Sequence, residues 1–451
     1  VTVTDASVPG GHPVLVLRGG TVVDGSGTRR ADVVVADGRV VAVGDDVATP
    51  TGAVTLDAAG CVVSPGFVDL HTHLRQPGAE EAETVESGAR AAALGGYTAV
   101  VAMPNTEPAI DSAAVASEVL ALGDKALCQV AVAGAITVGR AGERLAPMAE
   151  LAALGVRLFT DDGAGVQDAA VMRRAMEYGR SLGVTLAEHC EVSSLAAGGC
   201  MHEGAWSSRL GVPGVPAEAE ELMVARDIAL ARLTGARLHL LHLSTSRSAA
   251  LVAAAKAEGL PVTAEVTPHH LSLTDAELAG YDPVFKVNPP LRSAADVAGL
   301  RAACAAGVVD AVATDHAPHP AERKDTTLDA AAPGMLGLET ALAVALAALG
   351  DGQEPGAAGM ALGDLLALLT WRPARIAGLA PEQGGEQGGP IEPGAAANIC
   401  VFDPHAEWEV DPARSASRSR NTPWAGRRMR GRVRHTVYRG EAVVVDGEAQ
   451  R

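Results

Sequence analysis

Aromatic residues are almost missing from this 451-residue chain: Phe, Tyr and Trp make up 3% of it. Apolar residues still reach 48%, so Ala, Val and Leu must fill the core. Cysteine is scarce as well. The six present, at positions 61, 128, 190, 200, 304 and 400, form no Cys-x-x-Cys pair, which excludes a disulfide framework and a structural zinc knuckle. No apolar run is long enough to span a bilayer, and no charged-then-apolar signal segment opens the chain. The expectation is a cytoplasmic protein with residues 1–12 as a loose leader. Positive charge is also short: 36 Lys and Arg against 54 Asp and Glu give a net charge of −18. That balance argues against non-specific nucleic-acid binding and against docking on anionic membranes. It also repels an anionic substrate at long range, so any such substrate needs a local basic pocket. The Arg-rich run Arg414–Arg432 reads as a solvated edge, and the Gly-rich stretch 384–389 has no P-loop Lys-Ser/Thr and reads as a linker.

What the chain does contain is a change of rhythm. The first ~60 residues alternate short strands with turn signals: Val14–Leu17, Thr21–Val23, Ala31–Val35 and Val40–Val43 are separated by Gly- and Asp-rich turns. They predict an antiparallel β-layer. Ala397–Phe402, Val433–Tyr438 and Ala442–Val445 read the same way at the other end. The two ends should complete one small β-domain, residues 1–64 with 386–451. Between them, over 65–385, β-rich runs alternate with Ala-rich helical stretches such as Ser87–Leu94 and Asp168–Leu182. Eight strands can be counted: the one before His71, then Tyr97–Met103, Gln129–Ala133, Val156–Thr160, Val184–Glu188, Arg237–His242, Val262–Val266 and Asp310–Thr314. The pattern predicts an α/β fold, a (β/α)8 TIM barrel with a small β-sandwich-like domain, whose active site lies where the strands end.

Those strand ends carry the chemistry. His71-Thr72-His73-Leu74-Arg75 follows the first strand, and side chains two apart on a strand point the same way. Two neutral imidazoles side by side are the beginning of a zinc site. Arg75, next in phase, suits a substrate carboxylate. The other ends deliver Asn105, Asp161-Asp162, His189, His242, His269-His270, Asp315 and His319. Two zinc ions about 3.5–4 Å apart could be held by such a set, with a carboxylate of Asp161 or Asp162 between them. Adjacent strand residues face opposite ways, so only one of the two can point inward.

Several of these segments carry a resemblance. Asp69–Pro77 is similar to the first signature of the dihydroorotases of the amidohydrolase superfamily, and Ala313–His319, with Lys324 following, to the second. Met103–Thr106, Glu265–His270, Asn288–Arg292, Pro333–Thr340 and Pro393–Asn398 resemble further family segments in the family order. The resemblance implies that His71, His73 and Asp315 hold one zinc, that His189 and His242 hold a second, and that Asp162 bridges them. That bridge is the mark of the bacterial type I branch; no lysine lies between Lys125 and Lys256, so a carboxylated lysine is not available. It also implies reversible hydrolysis of L-dihydroorotate to N-carbamoyl-L-aspartate, a step of pyrimidine synthesis, by a hydroxide held between the zincs, with Asp315 as general acid/base. Arg75, Asn105 and His319 would bind the free carboxylate, Asn288 would line the pocket, and a loop near Pro333-Gly334 would face the ring. A homodimer is implied, and association with aspartate carbamoyltransferase is compatible with it. Two alternatives are a related hydrolase of hydantoins, dihydropyrimidines or allantoin, and a non-catalytic partner of the transferase. Arg75 with His319 argues against the first, and the complete ligand set against the second.

The remaining polar residues read as structural. His239, out of phase with His242, should face the outer helices. His269 and His270 stay outside the metal set, His316 should point away from it, and Cys190 should sit in the barrel wall.

Overall fold

The structure, a computed structural model, describes residues 13–350 and 356–451; the expected leader, 1–12, lies outside them. Eight parallel strands form one sheet in sequential order: β1 (Phe67–Thr72), β2 (Tyr97–Ala102), β3 (Gln129–Gly134), β4 (Leu158–Phe159), β5 (Thr185–Glu188), β6 (Arg237–Leu240), β7 (Val262–Val266) and β8 (Ala311–Val312). All eight expected strands are present. Helices follow the strands and pack on the outside, and their ends are set by local chemistry. Helix α1 (Val85–Leu94) starts at a Thr84–Ser87 capping box, and α2 (Ala169–Leu182) starts where the Asp168 carboxylate accepts from the N–H groups of Ala170 and Val171. Gly183 ends α2 at φ 68°, a left-handed cap.

First and last strands are not joined by a ladder. The main chain of Leu368 and Leu369 runs between them, accepting from Val312 N and Val68 N at 2.9 and 2.8 Å. Nearer the strand ends, Asp69 takes Thr314 N at 2.9 Å and the Thr314 hydroxyl, and His73 N donates to His316 O. Burial pushes the Asp69 carboxyl up to about 7, against the hydrogen bonds from Thr314. The barrel interior is lined by small or slender residues, among them Leu70, Val101, Ala133, Leu158, Ala187, Ala311 and Ala313. Its lower end is filled by the segment from Ala374 to Ala380, which packs on Val68 and Ala99. This filling is how a chain poor in aromatics closes its barrel. The Gly-rich stretch is part of that base rather than a free linker: Gln387 is buried and its amide joins Thr98 and Gln129.

Both chain ends enter one sheet. Its seven strands run in the order Glu448–Ala449, Glu441–Val445, Arg428–Tyr438, Ile399–Glu409, Val62–Pro65, Thr21–Asp24 and Gly27–Arg30. A second sheet of four, Arg39–Gly44, Asp32–Ala36, Leu15–Arg18 and Val54–Asp57, packs on it through Leu17, Val33, Val63, Ile399 and Val401. The expected antiparallel layer is corrected in two places: Leu15–Arg18 pairs parallel with Val54–Asp57, and Thr21–Asp24 parallel with Val62–Pro65. The chain between each pair is long enough for a crossover, as a parallel pair requires. The arginines of the Arg-rich run form a solvated edge, as expected. Arg414, Arg418, Arg420, Arg427 and Arg428 are exposed, but Ser417, Ser419 and Asn421 between them are buried against the barrel.

Candidate metal centre

At the C-terminal ends of the strands, four imidazoles and two carboxylates converge, all of them 6% exposed or less. His71 reaches the interior because the register of β1 against β2 shifts between Asp69 and Thr72; Leu70 faces the interior too. Past the strand, His73 Nε2 lies 2.9 Å from Asp315 Oδ1. Two residues of the cluster take positive φ, His242 at 29° and Asp315 at 46°, so their side chains leave the strand phase and turn into the centre.

Asp162 occupies the middle. Its Oδ1 lies 3.4 Å from His71 Nε2 and 3.6 Å from both His189 Nδ1 and His242 Nε2, and its Oδ2 lies 3.6 Å from His73 Nε2. Asp161 faces away, accepting from Ile136 N at 2.9 Å, Thr137 N at 3.0 Å and the Thr137 hydroxyl. Burial pushes the Asp162 carboxyl up, but electrostatic attraction to the imidazoles around it, His71 first and then His189 and His242, holds it well below the usual range. Asp315 is likewise held low against burial, chiefly by His71 and His73.

The donor set fits a metal. Two groups of three could each hold an ion: His71, His73 and Asp315, and His71, Asp162 and His242, with ligand atoms within 4.8 Å of one another. His189 joins the second, its Nδ1 2.9 Å from His242 Nε2. His73 lies between two acceptors, Asn105 Oδ1 at 2.9 Å from its Nδ1 and Asp315 Oδ1 at 2.9 Å from its Nε2. His71 Nε2 and Asp162 Oδ1 are buried without any hydrogen-bond partner. Buried polar atoms are normally satisfied, and a shared cation would satisfy all of these.

A cavity of about 500 Å³ opens above this cluster. Arg75, Asn105, Asn288 and His319 all line it, with His73, Asp162, His189, His242 and Asp315 at its floor. Arg75 donates from Nε to Pro318 O at 3.1 Å, and its other end lies 3.4 Å from His319 Nε2. His319 in turn donates to Pro333 O at 2.8 Å; burial and the nearby Arg75 charge lower its pKa to about 3, so it is neutral. Asn105 is therefore both a cavity residue and the support of a histidine. Lys286 and Arg323 add positive charge to the rim, which sequence reasoning did not anticipate because neither sits at a strand end. Lys324, flagged by the second signature, lies outside the cavity lining, its ammonium on the carbonyls of Lys286, Ala332 and Gly334.

Three of the structural readings agree with the geometry. His316 turns away to Glu83 at 3.2 Å, Cys190 is buried in the main core cluster, and His270 bonds Thr267 and Pro289 O. The reading of His239 does not. It shares its face with Leu241 inside the barrel, and its Nε2 lies 3.0 Å from Glu265, whose other oxygen meets His71. The positive φ of His242 breaks the alternation on which the outward reading depended.

Residues 60–248 match the family model described as dihydro-orotase-like. The chain is 49% identical to the dihydroorotase of Anaeromyxobacter dehalogenans (strain 2CP-C), over 97% of this chain and 99% of that one. The chain belongs to the dihydroorotase family. Against the dihydroorotase of Mycobacterium tuberculosis (strain ATCC 25618 / H37Rv) the identity is 48%, covering 93% of this chain and 96% of the relative. Among solved structures the fold is shared with the L-hydantoinase of Arthrobacter aurescens: TM-score 0.85 at 24% identity, over 97% of each chain. The barrel and flanking β-sheets are thus shared with that structure, whereas the sequence sides with the dihydroorotase family.

Proposed function

We propose that this protein is a zinc-dependent dihydroorotase that opens the cyclic amide of L-dihydroorotate to N-carbamoyl-L-aspartate and closes it again. One observation carries the reading: a cluster of four histidines and two aspartates with unsatisfied Nε2 and Oδ1 atoms shares a cavity with Arg75 and His319. Two zinc ions would be held by His71, His73 and Asp315 and by His189 and His242, with Asp162 common to both. Bound there, zinc supplies Lewis acidity, making water a nucleophile at neutral pH and polarising a carbonyl.

The protein's own groups do the rest. Arg75 offers a guanidinium to the substrate carboxylate, with the Asn105 amide and the neutral His319 ring beside it. Such anchoring fixes the ring's orientation over the floor of the cavity. Asp315, ionised and 2.9 Å from His73, is the base that takes a proton from attacking water and returns it to the departing ring nitrogen. In the synthetic direction the same carboxylate removes that proton from the carbamoyl nitrogen.

Turnover of dihydroorotate and of hydantoin by zinc-loaded protein tests this. We expect dihydroorotate to be turned over and hydantoin, which has no carboxylate for Arg75, to be poor. Turnover of hydantoin alone would refute the assignment.

A further inference from the structure

Glu265, on β7, is completely buried and does not line the cavity above the cluster. Its Oε1 lies 2.9 Å from His71 Nδ1 and 3.3 Å from the backbone N of His242. Its Oε2 lies 3.0 Å from His239 Nε2, and His239 Nδ1 lies 2.8 Å from the Thr263 hydroxyl. The register of β6 against β7 makes this chain possible, since His239 is paired with Thr263 and Leu240 with Ala264. Carboxylate oxygens accept, so His71 must carry its proton on Nδ1 and His239 on Nε2. With Nδ1 committed to Glu265, Nε2 is the ring atom of His71 left for a metal; it has no hydrogen-bond partner and lies 3.4 Å from Asp162 and 3.5 Å from Asp315. The backbone bond acts on a second ligand. His242 sits at φ 29°, a conformation unfavourable for a side-chain-bearing residue, and the Glu265 oxygen holds the N–H of that same residue.

We propose that Glu265 is a positioning residue that sets two metal ligands at once, the ring tautomer of His71 and the backbone turn of His242, while His239 and Thr263 hold its carboxylate in place. Outer partners of a ligating histidine fix its tautomer and orientation, and their loss typically weakens metal binding 10–100-fold. Here one carboxylate would couple both halves of the centre, so its removal weakens both. The inference rests on the reading that His71 and His242 ligate metal.

The test is zinc affinity of chelator-stripped full-length protein, measured by competition with a chromophoric chelator, alongside the melting temperature of the stripped protein. Glu265→Gln should bind zinc about 10–100-fold more weakly than the parent. His239→Leu should weaken binding by about tenfold, whereas His239→Gln, which keeps a donor near the Nε2 position, should stay within about threefold of the parent. A purely structural role would lower the melting temperature of the stripped protein and leave the affinity of the folded fraction unchanged. Parental affinity in both Glu265→Gln and His239→Leu would overturn the inference; should Glu265→Gln fail to fold, equal affinities in the two His239 variants would do so. Failure of the parent itself to bind zinc would remove the metal reading and this inference with it.

Discussion

Asp161 and Asp162 are chemically identical neighbours in one turn, and their surroundings separate them. Asp161 is committed to the backbone of Ile136 and Thr137, while Asp162 meets four imidazoles. At this scale the sequence was most readable where a local rule applied. His71 and His73 are two apart at a strand end and both reach the cluster. It was least readable where φ turns positive: at His242 no alternation rule says which way the ring goes, and His239 was misplaced as a result. Glu265 carries no local signal of its own, because its partners come from β1 and β6, far away in sequence. Two outcomes belong here. Asp315→Asn should keep substrate affinity and lower kcat by about 10²–10⁴-fold in a steady-state assay, the usual contribution of a positioned acid/base. Arg75→Met should instead lower kcat/KM for dihydroorotate by about 10–100-fold, the worth of a hydrogen-bonded charge. An Arg75→Met enzyme with unchanged kcat/KM would show that the carboxylate binds elsewhere.

Among elements, the segment from Ala317 to Met335 is the least legible, but side chains hold it from two sides. Little of it is helix or strand, yet it forms one cavity wall through Ala330, Ala332, Pro333 and Gly334. Two ammonium groups hold it: Lys324 on three carbonyls, and Lys286 on the carbonyls of Leu328 and Asp329 at 2.8 and 2.9 Å. From the opposite side the Asn421 amide donates to Ala317 O and Gly334 O at 3.0 and 3.1 Å. This explains why the Arg-rich run is interrupted where it is, since its small polar residues reach inward. Gly334 has φ 136°, and a Cβ there would sit 2.7 Å from Ala317 Cβ and 3.0 Å from His319 Nε2. Burial lowers the Lys324 pKa to about 7, and Lys324→Met should free three carbonyls and raise KM for dihydroorotate about tenfold, each lost hydrogen bond being worth ~0.5–1.5 kcal/mol. Zinc content should be unaffected. Zinc loss in this variant would mean that the loop supports the metal floor as well.

For the whole molecule, the βα rhythm and the strand count were enough to give the barrel, because each unit is local. The terminal β-layers were recognised as strands, but their parallel pairings were not, since they depend on which distant strands meet. Asp24 illustrates such a long-range join. It accepts from Arg29 at 3.0 Å and from Ile391 N at 2.9 Å, tying the first strands to the returning chain. Burial raises its pKa, but the Arg29 and Ser26 hydrogen bonds prevail and the folded value lies below 3.8. The unfolded chain then binds more protons between the two values, so this stabilisation is fully present above pH ~4 and lost as pH falls through the folded pKa. Asp24→Asn should therefore cost about 1–3 kcal/mol at pH 7 and progressively less under acid, read from urea midpoints at each pH. An equal loss at every pH would assign the effect to packing rather than charge.

The central claim is that Asp162 joins two zinc sites built from strand-end histidines. Metal content per chain, measured by mass spectrometry after zinc loading and gel filtration, tests it most directly. About two zinc ions are expected in the parent, fewer than one in Asp162→Ala, and a smaller loss in Asp161→Ala. Two zinc ions retained by Asp162→Ala, or a greater loss in Asp161→Ala, would contradict it.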